Sequence, residues 1–217
     1  NKFFWKLFVF GRRADDVLHD YEPGDEPGLL FHYVSMETQV LSQLLRKVYA
    51  TPLTTVMQER IWRPLGMEAD AYWNIDEDSE AGVELGFCCL NATLRDYAKL
   101  GRLYLNQGDW NGRQLLPPGW VEEATRPAEP WLQAEQTGYQ QRGYQYQWWS
   151  PPQPEGEYFA SGVWGQYIYV SEPDELIIVR TSVDPDFNPN MLETMTVFRA
   201  IRDHLREQLE QDKQPAS

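Results

Sequence analysis

Residues 32–41 read HYVSMETQVL: a histidine, a tyrosine and a serine within four positions, followed at once by an apolar helical pattern. From Met36 onward Val40, Leu41, Leu44, Leu45 and Val48 recur at the helical period, and Ser35 stands where a capping residue belongs. The stretch therefore has two readings. Tyr33-Val34-Ser35 is part of a catalytic constellation, or it is a polar turn in front of a helix, and the rest of the chain decides.

The chain has 217 residues, enough for one large domain or most of two. Its apolar fraction of 42%, with 14% aromatic residues and nine tryptophans, excludes disorder over most of its length. Thirty-three acidic against nineteen basic residues leave a net charge of −14, which repels phosphate backbones and excludes nucleic acid as a partner. The only cysteines, Cys88 and Cys89, are adjacent, so no disulfide framework or zinc knuckle is expected and the pair reads as small buried apolar matter. FFWKLFVF (3–10) is interrupted by Lys6 and too short to span a bilayer, so no transmembrane segment is expected there. It lacks a small-residue cleavage site and reads as a buried helix face.

YEPGDEPG (21–28) is an acidic Pro/Gly loop that leads to the quoted stretch. A helix runs from Pro52 to about Trp62, and another from Asn91 or Thr93 to Asn106, with Asn91 expected as its cap. NQGDWNG (106–112) is a turn, and residues 117–125 form a short helix. After about residue 130 the character changes. GYQYQWW (143–149) alternates as one strand, followed by YFASG (158–162), WGQYIYVS (164–171) and ELIIVRTS (175–182), the last two joined through Glu172-Pro173-Asp174 as a hairpin. The runs IYV and LIIV are nearly continuous apolar strands, which calls for helices on both faces of their sheet. Met191, Met195, Phe198, Ile201, Leu205 and Leu209 mark one such helix, ahead of a frayed tail EQDKQPAS. No G-x-S-x-G elbow, P-loop, H-E-x-x-H or spaced Cys/His set occurs, so no metal or nucleotide site is expected.

HYVSMETQVL, RPLGMEADAYW (63–73), LNATLRDYAKLGRLYLNQGDWNGRQLLP (90–117) and GVWGQYIYV (162–170) together resemble the serine β-lactamase-like superfamily. Within it they are most similar to the branch of 6-aminohexanoate-dimer hydrolases and related esterases. The resemblance covers most of residues 20–205. It implies an α/β fold: an antiparallel sheet flanked by helices plus a mainly helical region, here incomplete at the N-terminus. Residues 1–135 are then the mainly helical region with the Tyr-x-Ser motif, and 136–217 the C-terminal strands with their covering helix.

Three elements share one cleft in that family: a Ser-x-x-Lys helix, a Tyr-x-Asn or Tyr-x-Ser, and a Lys-Thr-Gly-like strand. Tyr33 matches the tyrosine, and Ser35 the residue expected to bond in the cleft. A free phenol, with a pKa near ~10, needs a neighbouring ammonium to act as a base at neutral pH. No Ser-x-x-Lys occurs here, because Phe3, Leu44, Asp96 and Glu210 stand three residues before Lys6, Lys47, Lys99 and Lys213. With only 32 residues before Tyr33, the expectation is the C-terminal portion of a serine hydrolase without its nucleophile helix, whose missing N-terminal segment is its first partner.

Ala160-Ser161-Gly162 occupies the place of the Lys-Thr-Gly-like strand, and Ala160 replaces a cation that penicillin-recognising members often carry. The implied substrate is a small amide or ester rather than a penicillin. By resemblance the backbone N–H of Val163 is one oxyanion-hole donor, Ser161 and Gly162 border the substrate, Trp149 lines the acyl pocket, and no cofactor is needed; Asn91, read first as a helix cap, has the cleft as its second reading. His32 reads as structural. Two other functions fit the residues: a noncatalytic homologue that binds a ligand or peptide in the old cleft, and a carbohydrate-binding module using the Tyr, Trp and Gln of residues 138–149.

Overall fold

The computed structural model describes residues 2–22, 24, 26–139 and 141–212, and the backbone alone at Lys2. The chain divides into two compact units, residues 1–96 and 97–217. The boundary falls inside one helix, α5 below.

The first unit contains α1 (Lys2–Phe4) running into a π-type turn (Trp5–Val9), α2 (Ala14–Leu18), α3 (Ser35–Tyr49), α4 (Leu53–Met57) running into a second π-type turn (Gln58–Trp62), and a two-strand ladder of β1 (Tyr72–Trp73) and β2 (Leu90–Asn91). Its core gathers Phe3, Leu7, Ala14, Val17, Val83 and Leu85, with Met36, Phe87, Cys88 and Cys89 packed against them. The N-terminal apolar run thus buries only part of itself, since Trp5, Phe8, Val9 and Phe10 are exposed. Asp76 ties the unit together by accepting from the backbone N–H groups of Ala14 at 2.7 Å and Val83 at 2.8 Å.

α3 corrects the sequence reading of its faces. The side chains it buries are Gln39 and Ser42, whereas Val40, Leu41, Leu44, Leu45 and Val48 are all exposed. Gln39 donates to the Glu84 carbonyl at 3.0 Å and accepts from the Gly86 N–H at 2.9 Å, pairing two backbone groups of a segment with few ladder partners. The helix sits so close to this segment that a methyl group on Gly86 would overlap Ser42 Oγ and stand 2.5 Å from its Cβ. Arg46 reaches Glu84 at 2.5 Å, and the Thr54 N–H and hydroxyl both donate to the same carboxylate at 2.8 Å. Burial pushes the Glu84 carboxyl up, but these donors and the Arg46 charge outweigh it and hold the pKa below the ordinary carboxylate value.

Cys88 and Cys89 are a second correction: they are partly buried and joined to each other by a disulfide. The spacing rule concerns bridges between distant segments, whereas this ring closes across one peptide, with Cys89 at φ 74°, and constrains no loop.

The second unit contains most of α5 (Leu94–Leu105), a hairpin of β3 (Asp109–Trp110) and β4 (Arg113–Gln114), α6 (Trp120–Thr125), an antiparallel meander of β5 (Gly143–Gln145), β6 (Trp148–Ser150), β7 (Glu157–Gly162), β8 (Gln166–Ser171) and β9 (Leu176–Arg180), and α7 (Met191–Asp212). The sheet alternates cleanly. Tyr158 and Val170 join Val121, Ala124 and Trp148 in a cluster with Ala160, Ile168 and Tyr104 packed against it, while Tyr167 and Tyr169 meet the Phe198 ring of α7 at 5.7 and 5.4 Å. α5 approaches this sheet at Gly101, where an added Cβ would lie 2.8 Å from Ile177 Cγ2. Helices therefore cover both faces, as the apolar strands IYV and LIIV require.

GYQYQWW is not one strand but two, β5 and β6, reversing at Tyr146-Gln147, both with positive φ. The Trp120 ring stacks on Tyr146 at 5.3 Å and supports a turn that neither residue favours. The expected Glu172-Pro173-Asp174 hairpin is present, with Ser171 Oγ bonded to Asp174 at 2.6 Å. α7 continues to Asp212, past the start of the expected frayed tail, and residues 213–217 lie outside the described residues, as do positions 23 and 25 of the acidic loop.

α7 is anchored by charge as well as by rings. The Glu157 carboxylate, fully buried, accepts from Arg199 Nε at 2.8 Å, from Arg202 Nη1 at 3.1 Å and from the Tyr169 hydroxyl. Burial and this carboxylate push the Tyr169 phenol well above its ordinary pKa. One helical turn further, Arg206 donates to Asp174 at 2.8 Å and holds that carboxyl below its usual range.

Candidate active site

Ser161, Gly162 and Val163 lie at the end of β7, the central strand of the five. Gly162 pairs with Gln166, and the chain reverses through Val163, Trp164 and Gly165, closed by the Gly165 N–H on the Gly162 carbonyl at 3.3 Å. Trp164 and Gly165 both have positive φ. Gln166 fixes the tip: its amide donates to the Ser182 carbonyl and accepts from the Ser182 N–H at 3.1 Å, acting as one more rung between β8 and the segment after β9. The Asp184 N–H bonds the Trp164 carbonyl at 3.0 Å from the same segment. Val163 is 52% exposed on this braced tip, and Ser161 and Gly162 are half-buried. A Cβ on Gly162 would come within 3.2 Å of the Gln166 Cβ, so this glycine permits the Gln166 rung.

Ala160 pairs with Ile168 and carries no charge. The nearest cation in register is Arg180, which pairs with Tyr167 across from Ser161; it is engaged by Thr194 at 2.9 Å, Ser182 Oγ at 3.2 Å and Asp184 at 3.8 Å. Trp149 is 4% exposed, opposite Phe159 in the sheet, with the Arg142 guanidinium 4.4 Å from its ring and Tyr144 edge-on at 4.7 Å.

Tyr33 and Ser35 belong to the first unit. Tyr33 is 43% exposed and His32 is exposed, on extended chain leading into α3. Ser35 is not the cap. Val34, at φ −129° and ψ 115°, takes the N-cap position, and Ser35 is the first helical residue, half-buried. An extended Val34 turns the chain into the helix by backbone geometry alone, with no side-chain cap bond.

Asn91 is not a cap either. It lies in β2, and its amide donates to the carbonyls of Cys89 at 3.0 Å and Tyr72 at 3.3 Å and to the Asn74 side chain at 3.3 Å. The cap of α5 is Thr93, whose hydroxyl accepts from the Asp96 N–H at 3.2 Å. The buried Asp96 carboxylate in turn accepts from Thr93 Oγ1 at 2.8 Å and from the Glu68 and Ala69 N–H groups at 2.7 and 3.2 Å, which fixes the RPLGMEA loop. The spacing Thr-x-x-Asp at 93–96 carried this signal in the sequence.

Among the described residues, no group of three His, Cys, Asp or Glu stands placed to hold a metal ion, and no helix is long and apolar enough to cross a membrane.

The architecture matches known hydrolases. A 6-aminohexanoate-dimer hydrolase of Paenarthrobacter ureafaciens is 26% identical over 183 residues, 81% of this chain and 46% of the relative. The structure of a Bacillus anthracis protein provisionally assigned as a 6-aminohexanoate-dimer hydrolase superposes with a TM-score of 0.78 at 29% identity, covering 89% of this chain and 49% of that one. A penicillin-binding protein of Bacillus halodurans shares the fold with a TM-score of 0.62 at 15% identity, over 86% of this chain and 63% of its own. The chain thus spans about half the length of the 6-aminohexanoate-dimer hydrolases it matches. The Beta-lactamase family profile matches residues 2–194, nearly the whole length, and with the antiparallel meander between helices it places this chain in the Beta-lactamase family.

Proposed function

We propose that this chain is the C-terminal part of a serine hydrolase that cleaves a small amide or ester by acyl transfer. The serine that forms the acyl-enzyme and its lysine lie on the preceding part of the same polypeptide. The observation that carries the reading is the braced tip after β7. A backbone N–H stabilises a developing oxyanion only if it is held in place before the reaction, and Val163 sits on a turn pinned by Gln166 and by the Asp184 N–H. In this reading Tyr33 manages the proton of the nucleophile, Ser161 and Gly162 border the bound acyl group, and Ser35 and Trp149 shape its surroundings. The uncharged Ala160 favours linear amides and short esters over penicillins. The Paenarthrobacter relative, named for hydrolysis of 6-aminohexanoate dimer, is consistent with a linear amide.

Tyr33→Phe in the full-length gene product should lower kcat at least ~100-fold, the contribution of a proton-transfer group, with the fold retained. Near-wild-type turnover on the best ester would remove Tyr33 from the mechanism. The 217-residue chain alone should take no label from a serine-directed fluorophosphonate. Stoichiometric labelling mapped to Ser35 or Ser161 would place the nucleophile here and overturn the proposal.

A further inference from the structure

The disulfide between Cys88 and Cys89 does little for stability by the usual route. A bridge restrains the unfolded chain according to the loop it closes, and this one closes only over the peptide between neighbours. What it does hold is a backbone conformation. Cys89 sits at φ 74°, in the left-handed region that a residue with a Cβ rarely occupies. In that conformation each cysteine carbonyl meets its own donors. The Trp73 indole N–H reaches the Cys88 carbonyl at 2.9 Å, and the Asn74 N–H and the Asn91 side-chain amide reach the Cys89 carbonyl at 3.1 and 3.0 Å. Both cysteines are only partly buried, so the pair is not sealed in the core.

The same segment is the floor on which α3 rests. Gln39 holds the Glu84 carbonyl and the Gly86 N–H, and Met36 packs on the same core cluster as Phe87, Cys88 and Cys89. Tyr33 enters this helix through Val34 and Ser35. We infer that Cys88–Cys89 is a redox modification site that sets the position of Tyr33: the hydrolase is active with the pair oxidised and slowed when a dithiol reduces it. The effect on turnover rests on the acyl-transfer reading, whereas the opening of the bond does not. In the exchange a thiolate of the dithiol attacks one cysteine sulfur, the S–S bond breaks, and the other cysteine leaves as a thiolate and takes up a proton. The second thiol of the reductant then attacks the mixed disulfide and releases the first cysteine as a thiol. Two electrons thus pass to the cysteine pair, and the reductant departs as a cyclic disulfide. Cys89, no longer in a ring, relaxes to negative φ, which turns the Cys88 carbonyl away from Trp73 and disturbs the floor beneath Met36 and Gln39.

The test uses the full-length gene product as purified, after incubation with dithiothreitol, and after reoxidation with oxidised glutathione. Free thiols are trapped with iodoacetamide under native conditions and mapped by mass spectrometry, and kcat and KM are measured on a p-nitrophenyl ester. The expected result is a closed pair at first, both cysteines alkylated after the dithiol, kcat lower by about tenfold or more with KM little changed, and recovery on reoxidation. Cys89→Gly, which holds positive φ without a ring, should keep the oxidised kcat and ignore the dithiol, whereas Cys88→Ser/Cys89→Ser should match the reduced enzyme. A pair already free in the purified protein, a bond that opens only in urea, or a reduced enzyme with unchanged kcat would overturn the inference. If neither state turns over any ester or amide, the acyl-transfer reading fails, and hydrogen exchange of residues 33–39 and 84–91 decides the switch by itself. Faster exchange there on reduction upholds it, and equal exchange overturns it.

Discussion

α3 and the first half of α7 are written in the same code and folded in opposite senses. Both carry aliphatic positions at the helical period. α7 turns Met191, Met195 and Phe198 onto its sheet but, against the single stripe expected from sequence, leaves Ile201, Leu205 and Leu209 exposed and buries Arg202 to reach Glu157. α3 instead turns Gln39 and Ser42 inward and leaves its leucines outside along its whole length. What lies opposite each helix makes the difference. α7 faces the rings of Tyr167 and Tyr169, which reward apolar contact. α3 faces the backbone of residues 84–86, whose buried N–H and C=O groups each cost about 1–3 kcal/mol if left unpaired. Periodicity predicts that a helix forms; the chemistry of the neighbour decides which side is inside.

The comparison can be broken most forcefully at α7. Glu157→Ala removes the carboxylate shared by Arg199, Arg202 and Tyr169 and deprives the buried Arg202 guanidinium of its one fully buried partner, leaving it the more exposed carboxylates of Glu155, Asp174 and Asp203. The expected loss is about 3–5 kcal/mol, read from urea unfolding; a loss under 1 kcal/mol would show that the rings hold α7 without the charges. At α3 the sharper probe is Gly86→Ala, whose methyl group overlaps Ser42. Overpacking of this kind costs about 1–3 kcal/mol, and Ser42→Gly in the same chain should recover part of it. If the two substitutions are additive, α3 does not lie against Gly86.

The smallest effect is in pH. Glu84 has its pKa lowered in the folded state, so its contribution to stability is present above the unfolded carboxylate value, about 4.3, and is lost as pH falls through the folded pKa. Arg46→Ala removes one of the groups that lower it and should move the start of acid unfolding to higher pH. An unshifted acid limb would leave Thr54 as the group that matters.

Much of the fold was legible because its signals are local. The turn read at NQGDWNG is where β3 reverses into β4 at Asn111-Gly112, although its two short strands were not foreseen, and Pro52 opens the second helical stretch. Features that depend on distant residues were hidden. Tyr146-Gln147 contains none of the residues that favour positive φ, and its turn rests on Trp120 from another element. Asn91 and Thr93 both look like caps in sequence, but Asn91 is drawn into pairing with residues 72–74 and only Thr93 remains to start α5. At the candidate site the family motifs pointed to Tyr33 and to the turn after Gly162. Nothing local indicated that Gln166 would brace that turn through Ser182, because the partner lies sixteen residues away.

The two borders of the five-stranded sheet are unlike each other. β5 is three residues long and ends in a tight reversal, whereas β9 is five residues of Leu-Ile-Ile-Val-Arg with β8 as its only ladder neighbour among the described residues. A border of the second kind invites another strand, and a border of the first kind does not. Strand addition to this sheet, by any polypeptide, is therefore favoured at β9 and disfavoured at β5.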